Sequence, residues 1–230
     1  MTLWKPEKLE ITPDDVIRGQ GGNPEAIRNR QPRLLDIAAQ AIEISIEILN
    51  PQVLYHEFDI KHFSNGTLTL ENDATLKGAL ITERLAKADK VVLMIATVGT
   101  SIEEFSGKMM AEDPILGLAA EGVGGAAVEK IVNAVCTKFE AEAFDQGLTP
   151  TLPLSPGMDG WPVGEGQAQI FQAMPAGEID VQLTPSGVIL PKMSLSFALG
   201  IGEAVTLDQT PCEVCVLNQT CDYRSQYPTL

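Results

Sequence analysis

Three cysteines crowd the end of the chain. Cys212, Cys215 and Cys221 lie within ten residues, in the run Cys-Glu-Val-Cys-Val-Leu-Asn-Gln-Thr-Cys-Asp-Tyr-Arg. Two thiolates separated by two residues on a tight turn aim both sulfurs at one point, which suits a metal ion or a cluster. Cys221 can add a third sulfur as the chain returns, and Cys136, far upstream, is the only cysteine left to supply a fourth. Four chemistries are open to such a set: an iron–sulfur cluster, zinc, a disulfide, or free thiols. The disulfide fits least, because the opening Met-Thr-Leu-Trp-Lys-Pro-Glu-Lys has no apolar signal core. A reduced, cytoplasmic setting is expected instead. His56 and His62, the only histidines, read as ordinary polar residues near a strand rather than as ligands.

The formal charge of −15 and pI near 4.4 argue against several partners. A phosphate backbone and an anionic membrane surface would both be repelled, and no Lys/Arg stripe offsets the field. No apolar stretch reaches the roughly 18 residues that would span a bilayer. An apolar content of 44% supports an ordinary core.

The elements that must carry the chemistry are legible from periodicity. Thr12-Pro13-Asp14-Asp15 is a helix start, and Gln20-Gly21-Gly22-Asn23-Pro24 a break. Apolar residues at helical spacing predict a helix over 34–49. Alternation predicts a strand over 53–60; Asn65-Gly66 is a turn signal, and 67–70 returns. Residues 74–87 look helical, 90–96 is a buried strand, and 97–101 is a small-residue turn into a helix, a weak anion-binding signal. A long helix is predicted over 117–143; its glycines near 122–125 invite the close approach of another backbone or of a ligand. Residues 147–162 hold four prolines and three glycines, which prescribe a loop with little freedom, a rigid connection or a ligand platform. A helix over 164–174 and late strands complete the pattern. The order lacks the regular strand–helix alternation of a doubly wound sheet, so the expected class is α+β, with 1–205 as one domain and 206–230 as a cysteine-rich metal-binding tail.

These segments carry a family resemblance. Val92-Leu93-Met94-Ile95-Ala96-Thr97-Val98-Gly99, the helix with Ala126-Ala127-Val128-Glu129, the loop Leu154-Ser155-Pro156-Gly157-Met158-Asp159-Gly160-Trp161-Pro162, the stretch from Gln167 to Phe171, and the segment from Val181 through Pro191-Lys192-Met193-Ser194 occur in this order. Together they resemble the activation domain of vitamin B12-dependent methionine synthase, and more closely its stand-alone homologues that end in a cysteine cluster. The resemblance implies a twisted, mainly antiparallel sheet with packed helices. It also implies that S-adenosylmethionine is held over a corrin, so that one-electron reduction and methyl transfer restore methylcobalamin. Site residues carried over are Glu129, Ser155, Pro156, Gly157 and Met158. Two positions depart from the family: its carboxylate-binding arginine falls at Pro153, and an aromatic residue after the glycine falls at Met158.

The sequence therefore leads to an accessory protein of a corrinoid system. Its expected partner is a corrinoid protein or a cobalamin-dependent methyltransferase. Cobalamin would be reached only through that partner, because no Asp-x-His-x-x-Gly motif is present. The metal set would be Cys136, Cys212, Cys215 and Cys221, holding an iron–sulfur cluster or alternatively zinc. The rival is an iron–sulfur redox or docking module that binds no S-adenosylmethionine. Whether the chain is itself a catalyst is left open.

Overall fold

The computed structural model describes residues 1–206 and residue 219. The expected cysteine cluster at Cys212, Cys215 and Cys221, like nearly all of the expected tail from 206 to 230, lies outside the described residues.

The chain builds an α+β fold on a curled antiparallel sheet. Strand β1 (Thr2–Trp4) is followed by α1 (Pro13–Gly19), α2 (Pro24–Arg30) and α3 (Arg33–Ser45), which ends in a 3-10 turn. Then come β2 (Gln52–Ser64), β3 (Thr67–Leu70), β4 (Thr75–Lys77), α4 (Ala79–Arg84) and β5 (Lys90–Thr97). Helices α5 (Ser101–Glu112) and α6 (Pro114–Asp145) lead to β6 (Thr149–Pro150), α7 (Val163–Ala173), the β7–β8 pair (Gln182–Leu183 and Ile189–Leu190) and β9 (Ser194–Gly202). The main sheet runs β4-β3-β2-β5-β9-β6, with β1 on the outer edge of β2.

Alternation along β5 sorts the layers. Val91, Leu93 and Ile95 join Leu54, Phe58, Leu68, Leu76 and Trp161 on one face. Val92, Met94 and Ala96 meet Ala127, Ile131, Val135 and Phe139 of α6 on the other. Both faces of β5 are covered, which is why it reads as a continuous apolar run. Asn65 and Gly66 both take positive φ, 51° and 73°, as the two-residue hairpin turn between β2 and β3 requires.

Two helical expectations change. Residues 74–87 are not one helix: Leu76 pairs with Leu68 of β3, and Gly78, at φ 148°, separates that strand from the short α4. Sheet pairing overrides local helix propensity here. The break at residues 20–24 in turn starts a helix, since Asn23 caps α2 and Pro24 takes its first position. The glycines of α6 serve a backbone: a Cβ on Gly122 would lie 2.9 Å from the Val16 carbonyl oxygen, and one on Gly19 would lie 2.6 Å from the Gly122 oxygen. Helices α1 and α6 thus cross at small-residue contact.

Asp15 locks that crossing. Its carboxylate accepts from the Thr12 N–H (2.9 Å) and hydroxyl (2.7 Å), completing a capping box, and pairs with Arg18 (3.1 Å) and Lys130 of α6 (3.0 Å). Burial alone would raise its pKa; the bonds from Thr12 and Lys130 outweigh burial and hold it below 3.8. A depressed carboxylate contributes stability above its unfolded pKa, and that contribution is lost as pH falls through the folded value. Asp15→Asn is expected to lower stability by a nearly constant amount, about 1–2 kcal/mol, at neutral pH. The gap to wild type should close below about pH 4. Urea titrations at several pH values check this; a gap that persists at low pH would refute the role given to the carboxylate.

Candidate functional site

The Pro/Gly loop extends the edge of the sheet. After β6, the Thr151 N–H donates to the Gly200 oxygen (2.8 Å), and Leu154 exchanges two bonds of 2.8 Å with Ala198 of β9. The chain then leaves β9 and coils. Met158 N–H donates to the Ser155 oxygen (3.1 Å), Trp161 N–H to the Met158 oxygen (3.0 Å), and Gly157 N–H to the Trp161 oxygen (2.8 Å). The Ser155 N–H rests on the Met158 sulfur at 3.2 Å. Gly157 and Gly160, at φ 103° and 83°, hold conformations that other residues rarely adopt.

Trp161 anchors the coil. It is fully buried, its ring lies against Gly166 of α7, and its indole N–H donates to Gln169 Oε1 at 3.2 Å. At its far end the loop reaches the corner after β4, where a Cβ on Gly78 would lie 2.7 Å from the Gly160 oxygen. Strand β4 and the β9–β6 side are opposite ends of the sheet. The sheet is curled enough for one short loop to touch both, with Trp161 and α7 filling the enclosed face.

A polar row borders this region. Gln52, Thr97 and Ser194 stand in register across β2, β5 and β9, with Ser196 one step further on the same face. All four are buried. The Ser194 hydroxyl donates to Thr97 Oγ1 (2.8 Å), which also accepts from the Gly99 N–H (3.1 Å). Ser196 Oγ is buried without a partner, as is Oε1 of Gln167, one turn before Ile170 on the sheet-facing side of α7. Buried polar atoms ordinarily have partners, so these two orphans, one on β9 and one on α7, are spare hydrogen-bonding capacity. Sequence reasoning missed this row; its one trace is the polar–apolar alternation Ser194-Leu195-Ser196.

The remaining expected site residues separate. Ser155, Pro156, Gly157 and Met158 sit together on the loop. Glu129 lies elsewhere: α6 covers the opposite face of the sheet, and Glu129 feels Asp15 and Arg18 of α1. Helix α1 follows β1 on the outer edge of β2, whereas the loop runs along β9. Glu129 and the loop thus belong to elements whose core residues pack on opposite faces of the sheet. Glu129 is exposed as a residue, yet its carboxyl sits near enough the seam for burial first, and Asp15 second, to push its pKa up.

Cys136 is a core residue of α6 beside Val135 and Phe139. Burial, with Glu140 adding to it, pushes its thiol up to about 12. Its expected partners Cys212, Cys215 and Cys221 lie outside the described residues. Among the described residues no group of three or more His, Cys, Asp or Glu could hold a metal ion. Among them, too, no helix is long and apolar enough to cross a membrane.

No family model matches the chain. The transcriptional repressor NrdR of Lysinibacillus sphaericus (strain C3-41) is 33% identical over 85 residues, 37% of this chain. The chain spans about half, 52%, of the length of that curated relative. Among solved structures, the MetH reactivation domain bound to AdoHcy superimposes with a TM-score of 0.61. The match covers 88% of this chain and 78% of that one, at 13% identity. The fold is that of the MetH reactivation domain. The expected α+β class with a mainly antiparallel sheet stands, and the pairings between named strands are all antiparallel.

Proposed function

We propose that this chain is an accessory protein of a cobalamin-dependent methyltransferase system. It binds S-adenosylmethionine, or the demethylated product, against the loop at 154–158 and supports reductive activation or methyl transfer at a corrinoid held by a partner. The observation that carries this reading is the likeness, over most of the chain, to a domain crystallised with AdoHcy. The backbone of residues 155–158 is already ordered by its own hydrogen bonds, so a ligand would bind with little ordering cost. The orphan atoms of Ser196 and Gln167 add polar partners for it. The partner's corrinoid supplies the methyl-accepting metal; this chain's share is to hold and orient the donor. Carry-over from the repressor is not supported, since it matches about a third of the chain and a charge of −15 disfavours nucleic acid.

Calorimetric titration of the full-length protein with AdoHcy and with S-adenosylmethionine tests the reading. Saturable one-to-one binding that weakens on Ser196→Ala is expected. No heat or protection at millimolar ligand would refute it. In that event the cysteines at 212, 215 and 221, together with Pro153 in place of an arginine, favour the second reading, an iron–sulfur redox or docking module. Absorbance near 400 nm of protein purified without oxygen distinguishes that module from a zinc-bound tail.

A further inference from the structure

One side-chain amide ties the loop at 155–161 to β4, beside a longer backbone bond from the Leu80 N–H to the Gly160 oxygen at 3.5 Å. Gln169 Oε1 accepts from the Trp161 indole N–H at 3.2 Å and from the Lys77 backbone N–H at 2.9 Å, while its Nε2 donates to the Lys77 oxygen at 3.3 Å. Lys77 closes β4, the terminal strand of the sheet, whose other side pairs with β3. The amide therefore satisfies both backbone groups of Lys77 as a neighbouring strand residue would, and with its second lone pair holds the loop's anchor. Only a glutamine or asparagine amide offers donors and a two-bond acceptor in this arrangement, and the shorter side chain lacks the reach. The same junction brings backbone against backbone at Gly78 and Gly160. The loop's other end is fixed by the Leu154–Ala198 pair on β9.

We infer that Gln169 is a positioning residue: it holds the loop across the gap between the two ends of the curled sheet and so presents residues 155–158 to the ligand. It touches no ligand itself. The ligand half of this inference rests on the function proposed above; the loop half does not.

Amide hydrogen exchange of the full chain, in wild type and in Gln169→Leu and Gln169→Glu, is the test. Leucine removes all three bonds. Glutamate can keep both acceptor contacts, but its second carboxylate oxygen faces the Lys77 oxygen, so that bond is replaced by a repulsion relieved when the carboxyl is protonated or turns toward solvent. In the leucine variant, exchange at the Gly157, Met158 and Trp161 amides is expected to rise about tenfold or more, with β5 amides unchanged. The glutamate variant, which retains the acceptor contact to the Trp161 indole, should rise less than the leucine variant at the same amides. The AdoHcy dissociation constant should weaken about tenfold in the leucine variant, and much less in the glutamate variant. Unchanged loop exchange in Gln169→Leu, or an equal rise in β5, overturns the inference. So does a loosened loop with unchanged affinity. If wild type binds no AdoHcy, the proposed function falls, while the exchange result still decides whether Gln169 positions the loop.

Discussion

Replacing Pro153 by arginine is expected to tighten binding of AdoHcy about 30- to 1000-fold. The resemblance to the activation domain puts a carboxylate-binding arginine four residues before the loop glycine, and here that position is Pro153. A bidentate guanidinium–carboxylate contact contributes about 2–4 kcal/mol when partly desolvated, which converts to that range of affinity. The local structure tolerates the exchange. Position 153 lies between Thr151 and Leu154, whose N–H groups carry the edge pairing with Gly200 and Ala198, and proline donates no bond that could be lost. Lysine at the same position should recover less, because it presents a point charge without the planar fork. Titration of the wild type, Pro153→Arg and Pro153→Lys with AdoHcy checks the order. Equal affinities for all three would show that the ligand's carboxylate does not lie there, and the carried-over site would then be wrong at its centre.

Trp161→Ala is expected to be the most destabilising single change in the loop, at about 3–5 kcal/mol. The ring is fully buried on the enclosed face of the sheet, and Gly166 and Gly78 are small because the ring occupies the space beside them. Neither glycine can fill the cavity left behind. The indole bond to Gln169 goes too, so the loop loses its anchor as well as its packing. For a domain of this length the loss corresponds to a fall in melting temperature of roughly 6–20 °C. Trp161→Phe keeps a ring and loses the N–H, and should fall about 1–2 kcal/mol short of wild type. Thermal unfolding followed by circular dichroism decides the matter. A near-neutral alanine variant would mean that the loop does not bridge the sheet as described.

Much of the fold was legible in one dimension because its signals are local. The capping box at Thr12 and Asp15, the positive-φ pair Asn65-Gly66, and the apolar run of β5 each report a conformation or burial that nearby residues dictate. The same holds for the rigidity of 147–162, where proline and glycine restrict the backbone whatever surrounds it. The error at 74–87 has the complementary cause. Thr75-Leu76-Lys77 is a strand only because β3 lies beside it, and that pairing has no local signature.

The candidate site divides in the same way. Ser155, Pro156, Gly157 and Met158 are adjacent in sequence, so their assembly into one loop followed from the chain itself. That the loop's anchors and α6 pack on opposite faces of the sheet is a choice between two equivalent sides that alternation along β5 leaves open. The amide bridge from Gln169 to Trp161 and Lys77, and the row of Gln52, Thr97, Ser194 and Ser196, join residues from five parts of the chain. By itself the sequence determined most of the elements, the α+β class and the stiffness of the loop, since those arise from short-range sterics and periodicity. Only the tertiary structure decided where the loop lies, what holds it and which polar atoms remain free beside it, because strand pairing and the curl of the sheet alone bring those residues within bonding distance.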